Sequence, residues 1–295
     1  MSELPQRIAP ERIFKYLHPD RVDVLANGKI CVSSPQNLND PFELKPPLQL
    51  FESDESMLKV ALATLPKMAG EAYDKMPAAA RARLSKDQFL QMLRAQLLSS
   101  DAGISVTIKK LMPEIADRFN ATTEQRMGIL CLTEEPDDLL MWAHYGCSHE
   151  GFVIEFDPKA SFFNQRRSEV DEFRHLRPVI YSSTRPTLTF SQAKDLSALL
   201  TKSDHWTYEK EWRMMLDLDD ASAVISVGDK RFHLFEFQPE TIRSVIFGAR
   251  MAERKKMEIL DLITTRPLLK HINCFQAVAD ETTFKLNLYP LTVQQ

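Results

Sequence analysis

Two glutamates one residue apart stand where a polar, aromatic loop runs into a strand-like segment, within Lys202 to Asp217 (KSDHWTYEKEWRMMLD). In a strand that is extended from Tyr208, the side chains of Glu209, Glu211 and Arg213 share one face, because successive side chains alternate. Paired carboxyl groups repel each other, which raises the pKa of at least one, and Arg213 offers a fork for a phosphate or a carboxylate. The spacing fits an acid-base site and also fits a solvated strand face with a structural ion pair.

Two other polar segments carry side chains that could join this pair. The segment PQNLNDPF is rich in residues that hold tight turns, and it places Asn39 and Asp40 after a predicted strand. A short predicted helix with the sequence LLMWAHY carries His144 and Tyr145 at its end, where they supply hydrogen bonds and a stacking ring. A structured loop and a half-buried aromatic pair are the structural alternatives.

The composition describes a chain of 295 residues, which is long enough for a full core. Its 37 Lys and Arg residues against 41 Asp and Glu residues give a net charge of −4, so the composition does not indicate a broad basic surface for nucleic acid, and local basic grooves stay open. The first residues, MSELPQRIAPER, contain no apolar signal region, and no apolar run reaches the roughly 18 residues that span a bilayer. We therefore expect a cytoplasmic protein without a membrane partner.

Cysteine and histidine residues show no recognisable metal or disulfide pattern. The four cysteines lie far apart without a C-x-x-C pair, and Cys131 falls in an apolar run that suits a buried thiol. His144 and His149 are close in sequence but have no carboxylate partner at a metal-binding spacing, so we expect no metal. The motifs G-x-x-x-x-G-K-[ST], G-x-G-x-x-G, G-x-S-x-G and H-E-x-x-H are absent.

Apolar runs bounded by turn residues predict strands towards both ends of the chain. The predicted strands are 13–17, 29–33, 128–133, 151–158, 178–181, 223–227, 231–237, 242–248, 274–277 and 284–288. Gly228 and Asp229 have the composition of a hairpin turn between two of them. This order favours an α+β fold, with one or more central, mostly antiparallel sheets and flanking helices. We interpret residues 1–295 as a single α+β domain.

Residues 51–127 have a different composition from the rest of the chain, because they are rich in Ala, Leu, Met, Lys and Glu. Apolar residues recur there at spacings of three and four, as in Met57, Val60, Ala61 and Leu65. Helix breaks or first turns are expected at Pro66, Pro77 and Pro113. The stretch is predicted to be a helical insertion within the single domain.

Six segments carry a family resemblance: FKYL (14–17), NDPFE (39–43), CLTEEPDDLLMWAHY (131–145), GFVIEFD (151–157), VIY (179–181) and WTYEKEWR (206–213). In this order they resemble the bacterial family catalogued as domain of unknown function twenty-nine seventy-one. The resemblance covers most of the chain outside residues 51–127. The combination of NDPF, MWxHY and YEKEWR is specific, whereas the family name carries no activity.

A weaker resemblance links the chain to the ADP-ribosyltransferase superfamily, particularly its toxin and phage-defence branches. These enzymes open with a strand that carries a residue holding NAD, place an aromatic or histidine ring against the nicotinamide, and carry a catalytic glutamate at the start of a later strand. Here Lys15 and Tyr16 lie on the first predicted strand, and His144 and Tyr145 lie mid-chain. Residues 209–211 (EKE) have the E-x-E spacing of arginine-directed members. The resemblance implies an ADP-ribosyltransferase-like architecture.

It also implies a cytosolic enzyme that transfers ADP-ribose from NAD to a protein or nucleic-acid acceptor, or hydrolyses NAD. Glu211 would be the catalytic carboxylate and Glu209 would orient the acceptor. The residues implied at the cofactor are Tyr16, Lys15, His144, Tyr145, Asn39 and Arg213. Cleavage of the nicotinamide–ribose bond builds an oxocarbenium-like cation, which a fixed carboxylate stabilises while a ring holds the departing nicotinamide.

Two functions of other classes stay open. A non-enzymatic sensor or adaptor would bind a nucleotide or a protein partner with the same residues, and would pair Glu209 and Glu211 with Arg or Lys and leave no cleft. A nuclease would hold Mg²⁺ between Asp40, Glu155 and Glu211, because hard cations take oxygen ligands.

Overall fold

The computed structural model describes residues 10–99, 101–190 and 196–292, and the chain divides into two compact units. The first unit contains residues 1–44, 122–185 and 199–295, and most of the strands belong to it. The second unit contains residues 45–121 and 186–198 and is mainly helical. Helices do occupy most of the stretch 51–127, whereas a single domain over residues 1–295 with that stretch inserted stays a prediction.

A sheet of eight strands forms the centre of the first unit. Its strands are β1 (Ile13–Leu17), β4 (Met127–Thr133), β5 (Phe152–Phe156), β6 (Arg177–Pro178), β10 (Glu211–Asp217), β13 (Ile242–Phe247), β14 (Asn273–Ala279) and β15 (Leu286–Leu291). Their order is β15-β14-β13-β5-β1-β4-β10-β6. Neighbouring strands are antiparallel except β13 and β14, which are parallel. The α+β class with a mostly antiparallel sheet is therefore confirmed.

Three smaller sheets complete the strand content of the described residues. The first contains β2 (Lys29–Val32), β11 (Ala223–Val227) and β12 (Lys230–Glu236). The second contains β7 (Ile180–Ser182) and β9 (Thr201–Ser203), and the third contains β3 (Leu48–Gln49) and β8 (Leu188–Thr189). The first is antiparallel in the order β11-β12-β2, and the two others are parallel pairs. The predicted hairpin is present, with Gly228 at φ +58° in its turn.

Seven helices lie in the described residues: α1 (Asp23–Asn27), α2 (Asp54–Asp74), α3 (Ala78–Arg81), α4 (Lys86–Ser99), α5 (Asp101–Arg126), α6 (Leu139–His144) and α7 (Glu253–Thr265). Pro66 and Pro113 lie inside α2 and α5, so the breaks predicted there are wrong. A proline removes one backbone hydrogen bond, but long helices keep the bonds on either side of it. Among these helices, none combines the length and the apolar character needed to cross a bilayer.

Apolar side chains cover both faces of the large sheet. On β1, Ile13 and Leu17 belong to the larger core, whereas Phe14 and Tyr16 belong to a smaller core that also contains Trp142 of α6. This split follows the alternation of side chains along a strand. The smaller core therefore fixes α6 against the face of β1 that carries Tyr16.

The strand that follows the EKE sequence begins later than predicted. Residues Asp204–Glu209 form a 3₁₀ helix, Lys210 takes a left-handed conformation with φ +40°, and β10 starts at Glu211. A strand extended from Tyr208 is therefore wrong. Glu211 and Arg213 share a strand face as expected, but Glu209 precedes the strand, and the backbone turn at Lys210 sets its position.

β1 and β4 are neighbours in the sheet but pair at one position, Phe14 with Thr133. β1 pairs along its whole length with β5 on its other side, and β4 pairs along its whole length with β10. An isolated bridge joins Ser33, after β2, to Ile129 of β4. The two strands thus diverge from their single shared pair, and the sheet opens between them.

Candidate functional site

A cavity of about 340 Å³ lies in the first unit, within the size range of small-molecule sites. Seven of the eight predicted site residues line it: Lys15, Tyr16, Asn39, His144, Tyr145, Glu209 and Glu211. The cavity is also lined by Phe14, Cys131 and Thr133 of the diverging strands. Segments far apart in the sequence therefore meet where β1 and β4 separate.

The β1 side chains at the cavity are anchored to the chain around β4. The Lys15 ammonium donates to the carbonyl of Cys131 at 2.9 Å, so at this point a side chain bridges the diverging strands. The Tyr16 hydroxyl donates to the carbonyl of Glu135 at 2.8 Å. Burial raises the pKa of Tyr16, so its hydroxyl stays protonated. Tyr16 therefore offers its ring to the cavity, and Lys15 supplies a positive charge.

Backbone contacts fix both glutamates of the EKE sequence. The Thr133 hydroxyl donates to the carbonyl of Glu209 at 2.5 Å, and the Glu211 amide donates to the Tyr181 hydroxyl at 2.8 Å. Lys210 lies between them in the left-handed region and pairs with Glu135. Both carboxylates therefore line the cavity although Glu209 belongs to a 3₁₀ helix and Glu211 to a strand.

The carboxylates belong to one buried cluster of charged side chains, which we call the glutamate cluster: Glu43, Lys202, Glu209, Glu211 and Arg213. The Lys202 ammonium lies 2.6 Å from Glu209 Oε2, 3.1 Å from Glu211 Oε2 and 3.4 Å from Glu43 Oε1. Arg213 holds Glu211 with Nε to Oε1 at 2.6 Å and Nη2 to Oε2 at 2.8 Å, and it also contacts Glu43. Three carboxylates and two cations leave one formal negative charge in excess within the cluster.

Burial and neighbouring charges move the pKa of Glu211 to about 7. Burial raises it, the charge of Lys202 lowers it, and the charge of Glu209 raises it again. The Cys131 thiol also donates to this carboxylate, which lowers its pKa. Glu211 is thus a carboxyl group whose protonation changes near neutral pH, as general acid-base chemistry requires.

The end of α6 places Tyr145 against the glutamate cluster. Its first turn is capped by Asp138, whose carboxylate accepts from the amides of Leu140 and Met141. At the other end, the Tyr145 hydroxyl donates to Glu209 Oε1 at 2.6 Å and accepts from the Asn39 amide at 3.3 Å. Burial and this bond to Glu209 raise the pKa of Tyr145. The NDPF loop is thereby connected to the glutamate cluster through one tyrosine.

An aromatic edge stands beside the cavity. His144 is exposed, and its ring lies edge-on to Trp206 with 6.4 Å between ring centroids. Trp206 also carries the Lys202 ammonium 4.9 Å from its centroid, which is a cation–π contact. Tyr208 lies 6.1 Å from Trp206. These rings offer flat surfaces near the carboxylates.

Two residues of the cluster were not predicted. Glu43 ends the NDPFE sequence and Lys202 begins the stretch that contains the EKE sequence, so both lay within motifs already noted. Glu43 contacts Arg213 across 170 residues of sequence, and spacing along the chain does not indicate such a contact. Lys202 contacts Glu209 and Glu211 from β9, a short strand that was not predicted. Arg213 was predicted at the cofactor, but it is fully buried and lies outside the cavity lining, where it acts through Glu211.

The three carboxylates considered for Mg²⁺ do not line one cavity. Glu155 accepts hydrogen bonds from Arg12 and Ser244, and neither it nor Asp40 lines the cavity that contains Glu211. In the part of the chain that the structure describes, no group of three or more His, Cys, Asp and Glu side chains is arranged to hold a metal ion.

Comparison with known proteins gives one match. The family model described as protein of unknown function (DUF2971) matches residues 141–214, which run from α6 through the EKE sequence into β10. No curated protein and no solved structure matches the chain. The matched residues contain the MWxHY and YEKEWR motifs, and the NDPF motif outside the match contacts them through Asn39 and Glu43. The match over residues 141–214 supports the assignment to the family of proteins of unknown function DUF2971 that the motifs indicate.

Proposed function

We propose that this protein is an NAD-consuming enzyme of the cytoplasm, which transfers ADP-ribose from NAD to an acceptor or to water. The observation that carries the proposal is the glutamate cluster, in which two buried carboxyl groups, those of Glu209 and Glu211, face a cavity. Charge in a buried site acts with little screening by water, so such a site favours a positively charged group. Both the nicotinamide ring of oxidised NAD and the ribose cation that forms on its departure are positive.

The residues around the cavity have the chemistry for each part of NAD. Lys15 supplies a cation for the phosphates, and Tyr16 and His144 supply rings for the nicotinamide or the adenine. Asn39 and Tyr145 supply hydrogen bonds beside Glu209. Arg213 holds Glu211 in place from behind.

In the proposed reaction the bond between nicotinamide nitrogen and ribose breaks, and its electron pair goes to the ring, which leaves as neutral nicotinamide. The ribose carbon becomes an oxocarbenium-like cation that ionised Glu211 stabilises. Glu209 orients the acceptor, whose nucleophilic atom bonds to the ribose carbon and whose proton is released. With water as the acceptor the product is ADP-ribose.

The first experiment is to incubate the purified protein with oxidised NAD, alone and with cell lysate, and to follow nicotinamide release. We expect release by the wild type and a loss of about 100-fold or more in Glu211→Gln, the size of effect that follows removal of one electrostatic catalytic group. Glu209→Gln is expected to affect transfer to an acceptor more than hydrolysis. Transfer of radiolabel from NAD to lysate components identifies the acceptor class.

The matched control is Glu155→Gln, since Glu155 is a buried glutamate of the same sheet outside the cavity. It should retain nicotinamide release, and near-ultraviolet circular dichroism checks that each variant is folded. Oxidised NAD should raise the melting temperature more than reduced NAD, whose ring is neutral. Equal release by wild type and a folded Glu211→Gln contradicts the proposal.

A binding module is the second candidate, and the ion pairs of the glutamate cluster favour it. Both Glu209 and Glu211 contact Lys202, which is the pairing expected of a sensor or adaptor, whereas the cavity beside them is expected of an enzyme. Stabilisation of the protein by a nucleotide without nicotinamide release under any condition selects the binding module. Service in a toxin or in phage defence, which the superfamily resemblance implies, applies to either candidate.

A further inference from the structure

Lys202 occupies the centre of the glutamate cluster. It lies on β9, directly before the 3₁₀ helix that ends in Glu209, and its side chain is 3% exposed. Its ammonium is within 4.0 Å of three carboxylates, Glu43, Glu209 and Glu211, and lies over the ring of Trp206. Among the described residues, it is the cation that contacts both cavity-lining glutamates.

The second cation of the cluster has a different role. Arg213 binds Glu211 from outside the cavity and makes no ion pair with Glu209 in the described contacts. Removal of Lys202 would therefore leave Glu209 with a hydroxyl partner, Tyr145, in place of a charge. Two neighbouring carboxylates without a shared cation do not both stay ionised in a buried site.

We propose that Lys202 is the positioning residue of this site: its ammonium holds the carboxyl groups of Glu209 and Glu211 together beside the cavity and favours their ionised forms. Burial disfavours the ammonium, but the charges of Glu211 and Glu209 outweigh burial and raise the pKa of Lys202 above its ordinary value. Lys202 therefore keeps its own proton while it governs the protonation of its partners. The effect of Lys202 on the ionisation of the two glutamates is a property of the glutamate cluster itself. The importance of this effect for NAD turnover rests on the proposed function.

Other titratable groups that face Lys202 and Glu211 belong to several elements. They are Glu43 after the NDPF loop, Cys131 on β4, Tyr145 at the end of α6, Tyr181 on β7, Glu209 in the 3₁₀ helix and Arg213 on β10. Burial raises the pKa of Cys131, of Tyr145 and of Tyr181, so these groups stay neutral where Glu211 titrates. The pH response of the site is therefore assigned to its carboxyl groups.

The test compares Lys202→Met, which removes the charge, with Lys202→Arg, which keeps it. The carboxyl groups of ¹³C-labelled glutamate are titrated by NMR, and the Glu209→Gln and Glu211→Gln spectra assign the two signals. In Lys202→Met we expect at least one of the two to hold its proton to a pH about one to three units higher than in the wild type. Lys202→Arg should restore most of the wild-type titration. The acid side of the pH profile of nicotinamide release should shift by the same amount as the carboxyl titration.

Lys210→Met is the matched control, since Lys210 is an exposed lysine of the same segment that pairs with Glu135. It should leave both carboxyl titrations unchanged. An unchanged titration of Glu209 and Glu211 in folded Lys202→Met overturns the proposal. If wild-type protein releases no nicotinamide, the proposed function fails, and the NMR titration still decides the role of Lys202.

A compensating variant covers the case in which Lys202→Met does not fold. Lys202→Met/Glu209→Gln removes one charge of each sign, and the proposal predicts that it folds where Lys202→Met does not, or unfolds at a higher temperature where both fold. A double variant that is no more stable than the single one shows that Lys202 acts through its packing and overturns the proposal.

Discussion

At the scale of single residues, Glu211 connects the chemistry of the site to the stability of the protein. Its carboxyl group is buried, is held by Arg213 and Lys202, and has a pKa of about 7 in the folded state. An unfolded chain releases the same proton near pH 4.3. Between these two values the folded state binds more protons than the unfolded state. The stability that results is complete below the unfolded pKa and is lost as the pH rises through about 7.

We therefore expect the free energy of unfolding of the wild type, relative to Glu211→Gln, to fall by roughly 2–3 kcal/mol between about pH 5 and about pH 8. Denaturant unfolding of both proteins across this range measures the difference. Glu155→Gln serves as the control, because hydrogen bonds from Arg12 and Ser244 outweigh burial and lower the pKa of Glu155. The free energy of unfolding of the wild type relative to Glu155→Gln should not change over this pH range. If the free energy of unfolding of the wild type relative to Glu211→Gln is constant or rises with pH, the raised pKa of Glu211 is contradicted.

At the scale of elements, the entry into β10 is a strained turn that brings two side chains together. Lys210 caps the 3₁₀ helix Asp204–Glu209 with φ +40°, a region that favours glycine. A left-handed non-glycine residue costs about 1–2 kcal/mol, and such residues persist where the surroundings over-determine them. Here the surroundings are the hydrogen bonds from Thr133 to Glu209 and from Glu211 to Tyr181.

Substitution of Lys210 by alanine and by glycine separates the strain from the side-chain contact, since both variants lose the ion pair with Glu135. Lys210→Gly should be more stable than Lys210→Ala by about 0.5–1 kcal/mol, because relief of the strain exceeds the greater freedom of glycine in the unfolded chain. Urea unfolding of the two proteins gives the comparison. At Arg231, in the extended strand β12, the order should be reversed. If alanine is more stable than glycine at both positions, Lys210 is not strained.

At the scale of the whole molecule, three distant segments meet around Gly151. The Gly151 amide donates to the carbonyl of Gly146 at 2.9 Å, and the Gly151 carbonyl accepts from the Gly248 amide at 2.9 Å. A methyl group on Gly151 would overlap the carbonyl oxygen of Leu17, at the end of β1. Backbone atoms cannot move aside as the end of a side chain can, so this junction of β1, the start of β5 and the end of β13 needs glycine.

Gly151→Ala is expected to lower the free energy of unfolding by about 3 kcal/mol, at the upper end of the range for an overpacked site. The matched control is Gly228→Ala in the β11–β12 turn, where φ is +58° and no heavy atom beyond Gly228 and its two chain neighbours lies within 4 Å of the added carbon. This substitution should lower the free energy of unfolding only by the cost of the left-handed conformation, about 1–2 kcal/mol. Denaturation midpoints of the two variants give the test, and equal losses would mean that the junction at Gly151 can relax.

Local sequence signals predicted the elements well where apolar runs are long and their ends are marked. β1 was predicted at its observed bounds. The strands β3 and β8 were missed, because two residues give no alternation to detect. The predicted site residues line one cavity because the motifs that contain them meet there in the fold. The positions of Glu43 and Lys202 in the glutamate cluster could not be predicted, because local spacing does not encode their tertiary contacts.

A single residue pair, Phe14 with Thr133, joins β1 to β4 in the large sheet. On one side the strands from β15 to β1 are continuously paired, and on the other side the strands β4 and β10 are paired along their length. Phe14, Lys15 and Tyr16 line the cavity from the first half, and Cys131, Thr133 and Glu211 line it from the second. A molecule seated in the cavity therefore contacts both sets of strands and adds contacts where the sheet itself has one residue pair.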